Sequence, residues 1–158
     1  MTTIIKRFAF SAAHVLPNHK GQCSRLHGHN YSVEVEIKGD VVPSDSGSSS
    51  EGMIMDFAQL SEIFQEQFGS WDHSFLVAGD EWEYHALMAV ALNKEDLLYE
   101  PGHLFTVLGV RTTAENLAKI MFTKLDTVLS VFHGLEVRRV TVWETEKCSA
   151  TYTEEETL

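Results

Sequence analysis

Residues 31–38 read Tyr-Ser-Val-Glu-Val-Glu-Ile-Lys and alternate without a slip: Tyr31, Val33, Val35 and Ile37 against Ser32, Glu34, Glu36 and Lys38. A period of two held over that length belongs to a β-strand with one face on a core and the other in water. The stretch "FAFSAAH" behaves the same way, with Phe8, Phe10, Ala12 and His14 on one side and Arg7, Ala9, Ser11 and Ala13 on the other. Two such strands predict an antiparallel sheet covered on one face only.

The covering layer is legible further along. "MDFAQLSEIFQEQF" opens with Asp56, has Gln59 three residues on, and carries Phe57, Leu60, Ile63, Phe64 and Phe68 on one helical stripe. "TTAENLAKIMFTKLDTVLSVF" predicts a second helix, with a reciprocal cap from Thr112 and Glu115 and a stripe of Leu117, Ile120, Met121, Leu125, Val128 and Leu129. "LEVRRVTVWET" and "CSATYT" read as two closing strands. The Ser/Gly-rich stretch 41–52 reads as a solvated loop. Within a variable middle at about 80–110, "DEWEYHALMAVAL" reads as a short helix capped by Asp80 and "HLFTVLG" as a short strand. Helices gathered on one face of an antiparallel sheet give an α+β layer, and 158 residues suit a single domain over 1–158.

A formal net charge of −11 argues against nucleic acid or an anionic membrane surface as partner. No apolar run approaches the roughly 18 residues of a membrane span, and residues 1–14 lack the apolar core of a signal peptide. With two cysteines and no secretion signal, the expectation is reduced thiols in a cytoplasm, which leaves the sequon Asn30-Tyr31-Ser32 idle.

"CSRLHGHNY", residues 23–31, concentrates the chemistry. In an extended segment His27 and His29 leave the chain on the same side, and His14 ends the inward stripe of the first strand. If the two strands pair as a hairpin, the three imidazoles converge. Three neutral nitrogens with an open position are the donor set of a catalytic zinc. The bland reading makes His14 and His27 core histidines bonded to backbone, with His29 at the surface. Cys23 reads three ways: a fourth ligand, an inert thiol, or a base standing off the metal. Asp72-His73 in "WDHSF" supplies the other parts of a proton relay, or only a turn cap beside a surface histidine. Glu144 falls on the Val140–Val142 face, so it is either paired with Arg7 or Arg25 or free to receive two N–H donors of a guanidine-like edge. His19, His85, His103 and His133 read as loop or surface histidines, and Cys148 has no evident role.

Six stretches in order, "FAFSAAHVL", "CSRLHGHNY", "MDFAQL", "WDHSFL", "TTAENLA" and "VWET", resemble the 6-pyruvoyltetrahydropterin and 6-carboxytetrahydropterin synthase family. The resemblance covers nearly the whole chain outside about 40–52 and 80–108. It implies the tunnelling fold (T-fold): a four-stranded antiparallel sheet with two helices on one face, subunits joining into a barrel, and rings stacking as a homohexamer. It implies Zn2+ on His14, His27 and His29, Cys23 as catalytic proton acceptor, and Asp72 with His73 as a relay from a neighbouring subunit. Glu144 becomes the pterin anchor and, as a catalytic residue, part of the proton relay, with Thr112 and Thr113 touching the pterin mostly through backbone. The Cys-x-x-x-His-Gly-His spacing is similar to that of bacterial 6-carboxytetrahydropterin synthases on the route to queuosine. The implied substrate is therefore 7,8-dihydroneopterin triphosphate. Lys20, Arg25, Arg111 and Lys147 are the candidate cations for its triphosphate. The family usually has Pro where Arg111 stands, and compact bacterial members have a shorter 80–110.

Overall fold

The structure, a computed structural model, describes residues 1–79, 105–132 and 134–153. The helix expected after Asp80 lies outside them, as do His85, His103 and His133. Within them the order is β1 (Thr2–His14), β2 (His27–Gly39), α1 (Phe57–Phe68), β3 (Ser74–Ala78), β4 (Phe105–Leu108), α2 (Ala114–Leu129), β5 (Glu136–Thr145) and β6 (Cys148–Thr153).

The sheet has six strands rather than the expected four, in the order β4-β3-β1-β2-β5-β6. β1, β2, β5 and β6 are the antiparallel strands that the alternation predicts. β3 and β4 extend the other edge of β1 and run parallel to it, so the sheet is mixed. β4 is the short strand expected in "HLFTVLG". β3 escapes prediction because all five of its residues are buried and it therefore shows no alternation.

Both helices lie on one face. Leu60, Ile63, Phe64 and Phe68 of α1 and Leu117, Met121, Leu125 and Leu129 of α2 share one core with Tyr31, Val33, Val35, Ile37, Val140 and Val142. Each side chain of this kind contributes roughly 1.5–3 kcal/mol on leaving water. Phe8 of β1 stacks on Phe64 with ring centroids 3.9 Å apart.

Two local expectations are corrected. Asp56 does cap α1, accepting from the Ala58 N–H at 2.7 Å, but Phe57 turns outward and is 49% exposed. At N1 the side chain precedes the buried turn, where the Lys6 ammonium rests near its ring. α2 is capped by Thr113, which accepts from the Asn116 N–H at 3.4 Å, and not by Thr112, which is wholly buried. Residues 41–52 form the solvated loop expected, closed at its neck by backbone bonds between Val42 and both Gly52 and Met53.

Leu125 is fully buried between α2 and the sheet. Leu125→Ala is expected to cost about 2–5 kcal/mol, whereas Phe57→Ala should cost under about 1 kcal/mol. Urea unfolding with unchanged m-values checks the pair, and equal losses would contradict this placement of the core.

Candidate metal centre and the cavity beside it

The register between β1 and β2 sets His14 opposite His27 and Ala12 opposite His29. All three imidazoles therefore stand at one end of the hairpin, on the face that carries Phe10 and Tyr31. Their ring centroids lie 4.5, 5.1 and 5.1 Å apart, and their candidate ligand nitrogens all fall within 4.8 Å of one another. Gly28 makes the close pairing possible: a Cβ there would sit 2.9 Å from the Ala12 carbonyl oxygen, which belongs to backbone and cannot give.

The second nitrogens decide which tautomer faces inward. His14 Nδ1 lies 2.8 Å from the Thr112 carbonyl oxygen and His27 Nδ1 lies 2.7 Å from that of Arg25. A ring nitrogen against a carbonyl must be the protonated donor, so Nε2 of each ring carries the free lone pair. His14 Nε2 is buried with no partner among the described residues. Burial, with smaller contributions from His27 and His29, lowers the His14 pKa from 6.5 to about 4 against the opposing pull of Thr112. A neutral, dry, unpartnered imidazole nitrogen beside two others is a fit donor set for a divalent cation, with backbone carbonyls orienting the ligands from behind.

Cys23 is half-buried in a one-turn helix, Gln22–Ser24, tied down by a 2.8 Å bond from the Leu16 N–H to the Cys23 carbonyl. It lies outside the histidine cluster and lines an adjoining cavity of about 370 Å³ together with His14, His27, Thr113 and Glu144. Glu144 has no hydrogen bond or ion pair among the described residues; the Arg7 Nε instead donates to Glu34 Oε2 at 3.0 Å. The nearby Glu144 carboxylate, after burial itself, pushes the Tyr31 phenol up, so that hydroxyl stays protonated.

The other expected residues fall as follows. Thr112 contributes its carbonyl to His14, a role that nothing in its own neighbourhood signals. The Arg25 side chain is exposed and away from the cavity lining; its carbonyl is what serves the site. His19 and Cys148 line the cavity although the sequence reading left both out. Asp72 and His73 do touch, Oδ2 to Nδ1 at 3.0 Å, and Asp72 Oδ1 accepts from the Ser11 N–H at 2.8 Å. That amide, with His73 second, holds the Asp72 carboxyl below the usual carboxylate range. Yet the His73 side chain is 83% exposed and borders a groove of about 530 Å³ with Ser11, Ala13, Asn30 and Phe75 that His29 also reaches and that neither Cys23 nor Glu144 lines. One chain does not bring His73 to Cys23.

A family profile described as "6-pyruvoyl tetrahydropterin synthase" matches residues 3–155. The 6-carboxy-5,6,7,8-tetrahydropterin synthase of Haemophilus influenzae is 33% identical over 155 residues, 98% of this chain and 100% of that one. The structure of Caenorhabditis elegans 6-pyruvoyl tetrahydropterin synthase matches with a TM-score of 0.63 and 28% identity, covering 98% of this chain and 96% of that one. An uncharacterized protein from Wolinella succinogenes shares the fold, with a TM-score of 0.77 and 21% identity over 98% of each chain.

The depressed His14 pKa fixes a sign. Between pH 4 and 6.5 the unfolded chain carries a proton on this imidazole that the folded chain lacks, so stability rises with pH. The contribution, about 3 kcal/mol, is complete above pH ~6.5 and is lost as pH falls towards 4. Denaturation of metal-free protein should show this slope in wild type and not in His14→Gln; parallel profiles would refute it.

Proposed function

The chain belongs to the 6-pyruvoyl tetrahydropterin synthase family, and we propose that it is a zinc-dependent lyase of the carboxy type. Its reaction would convert 7,8-dihydroneopterin triphosphate to 6-carboxy-5,6,7,8-tetrahydropterin, releasing acetaldehyde and triphosphate on the route to queuosine. The observation that carries this reading is that the Cys23 thiol, the Glu144 carboxylate and two of the clustered histidines line a single cavity. The carboxy name of the whole-length relative and the four-residue step from Cys23 to His27 support it over the pyruvoyl type.

In this reading His14 and His27 hold the ion through Nε2, and His29 completes the set. When bound, zinc supplies a Lewis acid that makes C–H bonds next to a ligated oxygen more acidic. Glu144 accepts the paired N–H donors of the pterin edge and so fixes where the side chain of the substrate lies. Cys23, as thiolate, takes a proton from the side-chain carbon, standing off the ligand set as a base. Thr113, at the start of α2, borders the ring. Asp72 receives the Nδ1–H of His73, leaving Nε2 to pass protons. Because His73 opens on a groove that Cys23 does not line, the relay in this reading reaches Cys23 from a neighbouring subunit of a cytoplasmic homohexamer.

Zinc-loaded wild type should release acetaldehyde from 7,8-dihydroneopterin triphosphate, and Cys23→Ala should lose about 10²–10⁴-fold in turnover with its zinc retained. Triphosphate without acetaldehyde would overturn the carboxy reading in favour of the pyruvoyl type. Loss of zinc from Cys23→Ala would make the thiol a ligand.

The composite relay has its own test. Cys23→Ala and His73→Ala should each be inactive alone, and chains of both refolded together should regain activity at sites that combine one intact residue from each. A mixture as inactive as its parents would place both residues in one chain's site.

A further inference from the structure

The anchor role of Glu144 leaves the buried Tyr31 hydroxyl without a purpose. Tyr31 is 1% exposed, stacks on Phe10 at 4.8 Å, and meets the His29 and His14 rings at 5.4 and 6.0 Å. Its hydroxyl has no hydrogen-bond partner among the described residues. Phenylalanine would make every one of those ring contacts without burying an unsatisfied oxygen, a cost that folded proteins seldom carry.

The sheet register says where a partner stands. The ladder between β2 and β5 runs Val33 opposite Val142 and ends with Ser32 opposite Trp143; Tyr31 and Glu144 are the next residues along, beside an irregularity of β5 between Trp143 and Thr145. Besides burial, the Glu144 carboxylate is near enough to raise the Tyr31 phenol pKa. Glu144 has no partner among the described residues, and a carboxylate offers about four acceptor positions, enough for a phenol and two N–H donors together.

We propose that Tyr31 is a positioning residue for Glu144. Its hydroxyl donates to the carboxylate when a ligand draws that carboxylate over the histidines, which fixes the direction of the remaining lone pairs towards the ligand's N–H edge. This rests on the reading of Glu144 as the pterin anchor.

Zinc-loaded wild type, Tyr31→Phe, Glu144→Ala and the double variant test it, with neopterin fluorescence for binding, steady-state kinetics, zinc content and urea midpoints. Tyr31→Phe should keep its zinc and a midpoint no lower than wild type. It should raise the neopterin Kd and the KM on the order of 10-fold with kcat changed far less, and add nothing once Glu144 is Ala. If Glu144→Ala weakens neopterin binding while Tyr31→Phe does not, the inference falls and the anchor stands. Additive losses in the double variant, or a lowered midpoint in Tyr31→Phe, would also overturn it, by making the hydroxyl independent of Glu144 or merely structural. Neopterin binding indifferent to Glu144→Ala would bring down the anchor and this inference with it.

Discussion

The pairing of His14 with His27 across β1 and β2 is the constraint on which the rest of the molecule hangs. Side chains on a strand alternate, so a slip of one residue would set Gly28 opposite His14 and turn His27 and His29 to the other face. What prevents the slip is the core itself: Phe8 against Val33 and Phe10 against Tyr31 occupy the same ladder and would be expelled into water by the same move. Gly28 tightens the condition, because any side chain there meets the Ala12 carbonyl of the opposite strand. The histidines are thus placed by apolar burial several residues away, and the site and the core are one device.

The same histidines organise the segments around them. A buried imidazole must give its Nδ1–H to something, and His14 gives it to the Thr112 carbonyl just ahead of α2. This accounts for the cap of α2 falling on Thr113: Thr112 is drawn under the helix end with its carbonyl committed to His14, which leaves the next hydroxyl to close the first turn. His27 makes the equivalent bond to Arg25, in the loop that carries Cys23. The thiol's position beside the histidines is therefore a consequence of ligand orientation.

Sequence periodicity made the antiparallel half of the sheet and both helices legible, since each exposes one polar face and so prints a period. β3 printed none because it is buried on both sides. Phe57 sat on the apolar stripe by spacing alone, yet it belongs to the first turn, before the helix meets the sheet. His14, His27 and His29 were legible because local alternation fixes where they point. His19 and Cys148 were not, since a folded-back loop and the start of β6 bring them to the cavity through contacts remote in sequence. Asp72 and His73 were legible as a pair, but the face they open on follows from β3 running beside β1, which no local pattern records.

That last placement carries an argument of its own. His73 has φ 60°, an unfavourable region for a residue with a side chain, and it stays there because its N–H donates to the Ser11 carbonyl at 2.6 Å while Asp72 accepts from the Ser11 N–H. Both backbone polar groups of Ser11 are thus committed to orienting an imidazole that is mostly in solvent. The fold gains no burial from holding that ring still. An ordered, carboxylate-backed histidine facing outward makes physical sense when its target lies beyond the chain. Among the described residues, the cavity with Cys23 and Glu144 has one imidazole outside the metal cluster, His19, and its Nδ1 accepts from the Gly21 N–H rather than facing a carboxylate. Among the described residues each half of the proposed relay is what the other lacks, which is the ground for proposing that the relay is completed between chains.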